Sequence, residues 1–295
     1  MKTKLMFIIL LIILPFSVLA AMADVDKAYS WLLVQQNTDV FGASLTALAI
    51  SRADSSATQL YINYIKNNKH SSQPCWPNPN CNVKDTSAAL LIETKLGLGI
   101  NGVASENIQS WLASKQTLAS LSGTWNLQII TQDTGQCGLR YQRQGEPESA
   151  EFTLNVDKGK ISYGSCKDQY FFNLNSCLGT NIISKPSTII EVSCQSLSSS
   201  SISVVYKEGN SIYLTGTPVS IRARIPINNG FFGNKQDTLY ANWALKESGS
   251  EINSLIYLKK NQENKVIDQA LLYLSTKETS YLNSLLSLQG AFGEF

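Results

Sequence analysis

A single histidine, His70, stands in a chain of 295 residues, so a multi-histidine metal set has no ligands and imidazole chemistry has one candidate. His70 follows Lys69 and precedes two serines at the end of a helix-patterned run, where a histidine is ordinarily a surface residue near a helix C-terminus. No Cys-x-x-Cys spacing occurs among the six cysteines, which also argues against a zinc centre, and no cofactor is expected. Charge is sparse at 16% of residues and nearly balanced, 24 basic against 22 acidic. The nearest basic cluster, Arg140, Arg143 and Lys158 to Lys160, is diluted by Glu146, Glu148, Glu151 and Asp157, so phosphate-backbone binding has no electrostatic basis and no nucleic-acid partner is expected. Beyond the N-terminus no apolar run reaches spanning length, so no membrane span is expected there.

The N-terminus is the exception. Met1-Lys2-Thr3-Lys4, an apolar run from Leu5 to Leu19 and then Ala20-Ala21-Met22-Ala23 form the three regions of a secretory signal peptide, with cleavage expected after Ala23. Pro15 and Ser17 interrupt the run, which also falls short of the ~20 residues of a spanning helix. Removing Lys2 and Lys4 from the 24 basic residues leaves 22, equal to the 22 acidic ones. A secreted or cell-surface location follows, and with it an oxidising compartment in which Cys75, Cys81, Cys137, Cys166, Cys177 and Cys194 form disulfides. Cys75 and Cys81 bracket a short turn-rich loop and close locally. The other four allow three pairings; nearness favours Cys177 with Cys194 and Cys137 with Cys166.

Hydrophobic period divides the rest. From 24 to 120 apolar residues recur at helical spacing, as in Leu60, Tyr61, Tyr64 and Ile65. Between 121 and 225 the period becomes two, as in Trp125, Leu127 and Ile129, and turns such as Asp157-Lys158-Gly159 predict six to eight antiparallel strands in a sandwich or barrel. From 226 to 295 the helical period returns, with Leu239, Trp243 and Leu245 and later Leu271 and Leu274. A phrase recurs across this division: Asp39-Val40-Phe41-Gly42, Gly230-Phe231-Phe232-Gly233 and Gly290-Ala291-Phe292-Gly293. Recurrence predicts a helical repeat interrupted by a β insertion. The chain stops at Phe295 where the third phrase should introduce another helix, so the expectation is a truncated frame or a last helical pair from another chain.

Gln289-Gly290-Ala291-Phe292-Gly293 resembles the Gln-Gly-x-Trp-Gly turn of the terpenoid cyclase and protein prenyltransferase repeats, and Asp85-Thr86-Ser87-Ala88 and Asp237-Thr238 resemble the Asp-Thr that opens the next helix there. The resemblance covers 24 to 119 and 226 to 295. It implies paired helices in a partial α/α toroid around a cavity; with the period-two segment read as an inserted antiparallel β-sandwich, the expectation is an α+β multidomain chain, two separate helical domains flanking the sandwich being the alternative. The family's catalytic signatures are missing. There is no Asp-x-Asp-Asp stretch, no zinc set and no Cys-Gly-Glu-Gln thioester motif, since Cys137-Gly138-Leu139-Arg140 lacks the acyl-accepting glutamine.

Two functional expectations follow. The first is an exported, non-enzymatic binding or cell-surface protein whose β module meets an extracellular protein, glycan or lipid. Its candidate ligand-contacting rings are Trp76, Phe41 and Phe232; Trp76, between Cys75 and Pro77, is expected to be partly exposed, whereas Trp31, Trp111, Trp125 and Trp243 sit in core-like patterns. The second is an enzyme acting in a toroid cavity, degenerate cyclase-like or polysaccharide lyase- or hydrolase-like, with Asp85 and Asp237 as an acid and base pair and Glu93 nearby. Both aspartates equally suit helix N-terminal capping.

Overall fold

The structure is a computed structural model that describes residues 30, 32, 39–99, 103–179, 181–215 and 218–289. The expected leader at 1–23, Trp31 and the third phrase at Gly290–Gly293 lie outside them. Two compact units emerge, one from Met1–Ile108 with Gln262–Phe295 and one from Gln109–Asn261.

In the first unit, short polar residues set where each helix begins. Asp39 caps α1 (Val40–Ile50) by accepting from the Gly42 amide at 2.6 Å. Asp54 does the same for α2 (Ser55–Asn67) through the Ala57 amide at 2.8 Å. Asn82 caps α3 (Val83–Leu96), which ends at Gly97 with a φ of 72°. Helix α1 packs on both α2 and α3. Seven consecutive residues of α3, Thr86 to Ile92, are buried, so α3 is enclosed rather than amphipathic. The Cys75–Cys81 disulfide closes the α2–α3 connection.

Helix α4 (Ser105–Lys115) leads into the second unit, where strands dominate. In chain order these are β1 (Thr117–Leu118), β2 (Thr124–Ile130), β3 (Thr134–Arg143), β4 (Phe152–Asp157), β5 (Lys160–Tyr163), β6 (Cys166–Gln169) and β7 (Phe172–Asn173), followed by the short helix α5 (Leu174–Leu178). Then come β8 (Ser187–Ser193), β9 (Ser201–Glu208), β10 (Ser211–Leu214), β11 (Arg222–Asn228) and β12 (Gly230–Phe231). They form a four-stranded sheet in the order β10-β9-β2-β7, a six-stranded sheet in the order β11-β8-β3-β4-β5-β6, and a two-stranded β1-β12 ribbon, all antiparallel. Alternation assigns the faces. Trp125, Leu127 and Ile129 of β2 and Ile202, Val204 and Tyr206 of β9 join Leu139, Tyr141, Ile190 and Val192 of the larger sheet in one buried cluster. Ser198 to Ser200 form the loop before β9, with the Asp133 carboxylate accepting from the amides of Ser198 and Ser199 and from the Ser198 hydroxyl.

Register also sets the cysteine pairing. Gly138 on β3 lies opposite Ser193 on β8, so Cys137 and Cys194 face each other at a Cα separation of 4.2 Å and are bonded. Cys166 pairs with Cys177 across the β6–α5 connection. The nearness-based pairing of Cys137 with Cys166 and Cys177 with Cys194 is thereby corrected, because strand neighbours in a sheet are distant in sequence.

Helices α6 (Lys235–Glu247) and α7 (Leu255–Asn261) follow the strands and belong to the same unit. The remaining pair, α8 (Val266–Thr276) and α9 (Thr279–Ser287), packs together and belongs with α1 to α3. The expected α/α toroid with an inserted sandwich is overturned by this division: the helices after the strands split between the two units, and they do not form an α/α toroid. The recurring phrase also fails to mark one structural position. Val40, Phe41 and Gly42 form the first turn of α1, whereas Gly230 and Phe231 form β12 and Gly233, at a φ of 66°, turns the chain toward α6.

Candidate functional site

The candidate carboxylates are occupied by helix ends. Asp85 lies in the first turn of α3: its amide donates to Asn82 Oδ1 at 2.8 Å, while its carboxylate accepts from Asn82 Nδ2 at 2.5 Å and from the Phe41 amide at 2.8 Å. Asp237 repeats this reciprocal cap in α6, with its amide on Asn234 Oδ1 at 2.9 Å and its carboxylate on Asn234 Nδ2 at 2.8 Å. One belongs to the first unit and the other to the second. Glu93 accepts from the Leu98 amide at 2.7 Å beyond the end of α3. His70 Nδ1 accepts from the amides of Ser72 and Gln73 at 3.2 Å each, fastening the loop that follows α2.

The candidate rings are packed away as well. Trp76 is fully buried, correcting the expected partial exposure; its Nε1 donates to Ile65 O at 2.8 Å and its amide to Thr86 Oγ1 at 3.0 Å. Phe232 is equally buried, and its amide donates to Thr238 Oγ1 at 2.9 Å. The structural repeat is therefore Asn-x-x-Asp-Thr preceded by a buried aromatic whose amide bonds the threonine. Phe41 is half-buried beneath Lys84 Nζ, which lies 4.1 Å from the ring centroid.

A different set of residues is left open. On β2, Thr124 and Asn126 alternate with core-facing Trp125 and Leu127, and Lys207 on β9 is paired opposite Thr124, so all three share the outer face of the four-stranded sheet. Asp168 and Gln169 at the end of β6 and Tyr170 and Phe171 in the β6–β7 connection rise beside them, and the open cleft so formed is about 560 Å³. Asp168 adopts a φ of 52°, a left-handed geometry that aspartate tolerates, at the irregular β5–β6 pairing. Tyr170 is 56% exposed, and Lys207 Nζ hangs 5.4 Å from the centroid of Phe171. Asn126 is 4% exposed; its Nδ2 donates to Thr124, and among the described residues no donor reaches its Oδ1. Likewise no described residue pairs with the Asp168 carboxylate or the Lys207 ammonium.

Behind this cleft sits a fixed network. The Tyr206 hydroxyl accepts from the Gly123 amide at 2.7 Å and donates to Glu208 Oε2 at 3.1 Å. Glu208 also accepts from Ser122 Oγ and pairs with Lys260 of α7 at 2.5 Å. Lys260 and then Ser122 hold the Glu208 carboxyl below its ordinary value, Glu208 in turn raises Lys260, and burial pushes the Tyr206 phenol up. Gly123 is required here, since a Cβ would lie 2.4 Å from Lys207 O and 2.5 Å from the Tyr206 ring. On the opposite sheet, Arg140, Glu191 and Arg224 stand in register across β3, β8 and β11, with Glu151 and Glu251 closing the row. These arginines are internally paired, and Glu251 holds Arg224 above its ordinary value.

Among the described residues no group of three or more His, Cys, Asp or Glu side chains is gathered for a metal, and no helix is long and apolar enough to cross a membrane. No known protein family, curated protein or solved structure matches this chain. Sequence reasoning missed Asp168, Tyr170 and Lys207. The available signal was Tyr170-Phe171-Phe172 between two cysteines: three aromatics in an extended run cannot all face inward, and Phe172 is the one in the core.

Proposed function

We propose that this chain is an exported, non-enzymatic binding protein, secreted or held at the cell surface, whose strand-bearing unit takes an extracellular ligand in the cleft beside Tyr170. One observation carries the reading: among the described residues the Asp168 carboxylate and Asn126 Oδ1 in the cleft take no hydrogen bond or ion pair and Lys207 makes none, its ammonium lying over Phe171, whereas Asp85, Asp237 and Glu93 are consumed by helix ends. A group already holding backbone amides is badly suited to move protons for a substrate, while unpaired polar groups around an exposed ring suit recognition. The three disulfides and the leader-like N-terminus support export.

The test is retention of the mature chain on immobilised extracellular polysaccharides, proteins and lipid vesicles. Retention on at least one surface, lost in the Tyr170→Ala/Lys207→Ala double variant and kept in Asp85→Asn and Asp237→Asn, is expected. Turnover of a retained material that disappears in Asp85→Asn would overturn the reading.

A further inference from the structure

We infer that the cleft beside Tyr170 recognises a neutral glycan segment, an inference that rests on the cleft being the ligand site. The chemistry of the lining selects the class. A pyranose offers apolar C–H faces together with hydroxyls that both donate and accept, so its site needs an accessible aromatic face with donors and acceptors around it. Tyr170, at 56% exposed, supplies that face, with Lys160 Nζ 5.9 Å from its ring centroid and Phe171 next to it. Lys207 supplies donors; the Asp168 carboxylate and Asn126 Oδ1 supply acceptors. Asn126 lines the cleft, and among the described residues nothing donates to its Oδ1. An amide oxygen left open on the lining in this way is an acceptor for a ligand hydroxyl.

Charge narrows the class further. Lys207 and Asp168 cancel across the cleft, and Glu208, on its wall, is already matched by Lys260. Phosphorylated and sulfated ligands are held by clustered arginine or lysine, whereas among the described residues the lining carries Lys207 alone, with Lys160 over the Tyr170 ring at its edge. A lipid tail needs an enclosed apolar pocket, yet here the floor is Thr124 and Asn126 and the mouth opens to solvent. An open cleft of about 560 Å³ suits a segment of a longer chain that continues past both ends.

The experiment is calorimetric titration of the full mature chain with cello-, laminari-, manno-, xylo- and chitohexaose, with heparin and phosphatidylcholine vesicles as the charged and lipid probes. At least one neutral hexasaccharide should bind. Tyr170→Ala should weaken that binding about tenfold and Tyr170→Phe, which keeps the stacking face, by less than about threefold. Asp168→Asn and Lys207→Met should each weaken it about three- to tenfold. Unchanged circular dichroism and melting temperature show that the variants fold. Binding of heparin or vesicles alone, lost in Tyr170→Ala, overturns the ligand class and leaves the cleft as the site. Neutral-glycan binding that ignores Tyr170 overturns this cleft, and binding of no probe overturns both readings.

Discussion

Trp76 illustrates how a partner elsewhere in the chain decides the environment of a residue. Cysteine on one side and proline on the other suggest an exposed loop tip, but the ring is fully buried because Nε1 can satisfy Ile65 O while the amide satisfies Thr86 Oγ1. Trp76→Ala is therefore expected to cost about 3–5 kcal/mol in urea unfolding, the range for removing a large buried aromatic. Glu208 gives a pH-dependent prediction. Lys260 depresses its carboxyl below the ordinary glutamate value of 4.5, so its contribution is complete above that value and drains away as the pH falls below it. The melting temperature of Glu208→Gln should accordingly lie below that of the natural chain at neutral pH and converge with it as the pH falls below the ordinary glutamate value. A gap that widens on acidification would refute the Lys260 pairing.

Elements were more legible than their partners. Trp125, Leu127 and Ile129 alternate because one face of β2 is buried, and that alternation reads directly from sequence. Strands β1, β7 and β12 have two residues each, too few for a period to show. The helical period of Leu239, Trp243 and Leu245 identifies α6, but a period reports a buried stripe and says nothing about what buries it, which is why α6 could be assigned to a toroid it does not join. The same logic separates Asp85 and Asp237 as caps from Asp85 and Asp237 as catalysts: only the Asn82 and Asn234 contacts decide it. Asn82→Ala and Asn234→Ala should each lower stability by about 1 kcal/mol in denaturant titration while leaving glycan binding unchanged. Disulfides offer a second contrast. Cys137 and Cys194 are separated by 57 residues and Cys75 and Cys81 by 6. Replacing the first pair with alanines should cost roughly 4 kcal/mol and the second roughly 2 kcal/mol on the loop-entropy scale, and peptide mapping without reduction should recover these two pairs and Cys166 with Cys177.

At the scale of the molecule, the proposed binding cleft belongs to the strand-bearing unit. Its core lies between two sheets, and its outer surfaces divide: the six-stranded sheet carries the self-paired Arg140–Glu191–Arg224 row, and the four-stranded sheet carries the cleft. Sequence pattern identifies the β segment but not the cleft, because Thr124, Lys207 and Asp168 come from segments that only sheet pairing brings side by side. The decisive measurement is carbodiimide footprinting of carboxylates by mass spectrometry, with the mature chain free and saturated with a bound neutral hexasaccharide. Asp168 should become protected while Asp85, Glu93 and Asp237 label as before. Protection of Asp85 or Asp237 with Asp168 unchanged would contradict the account.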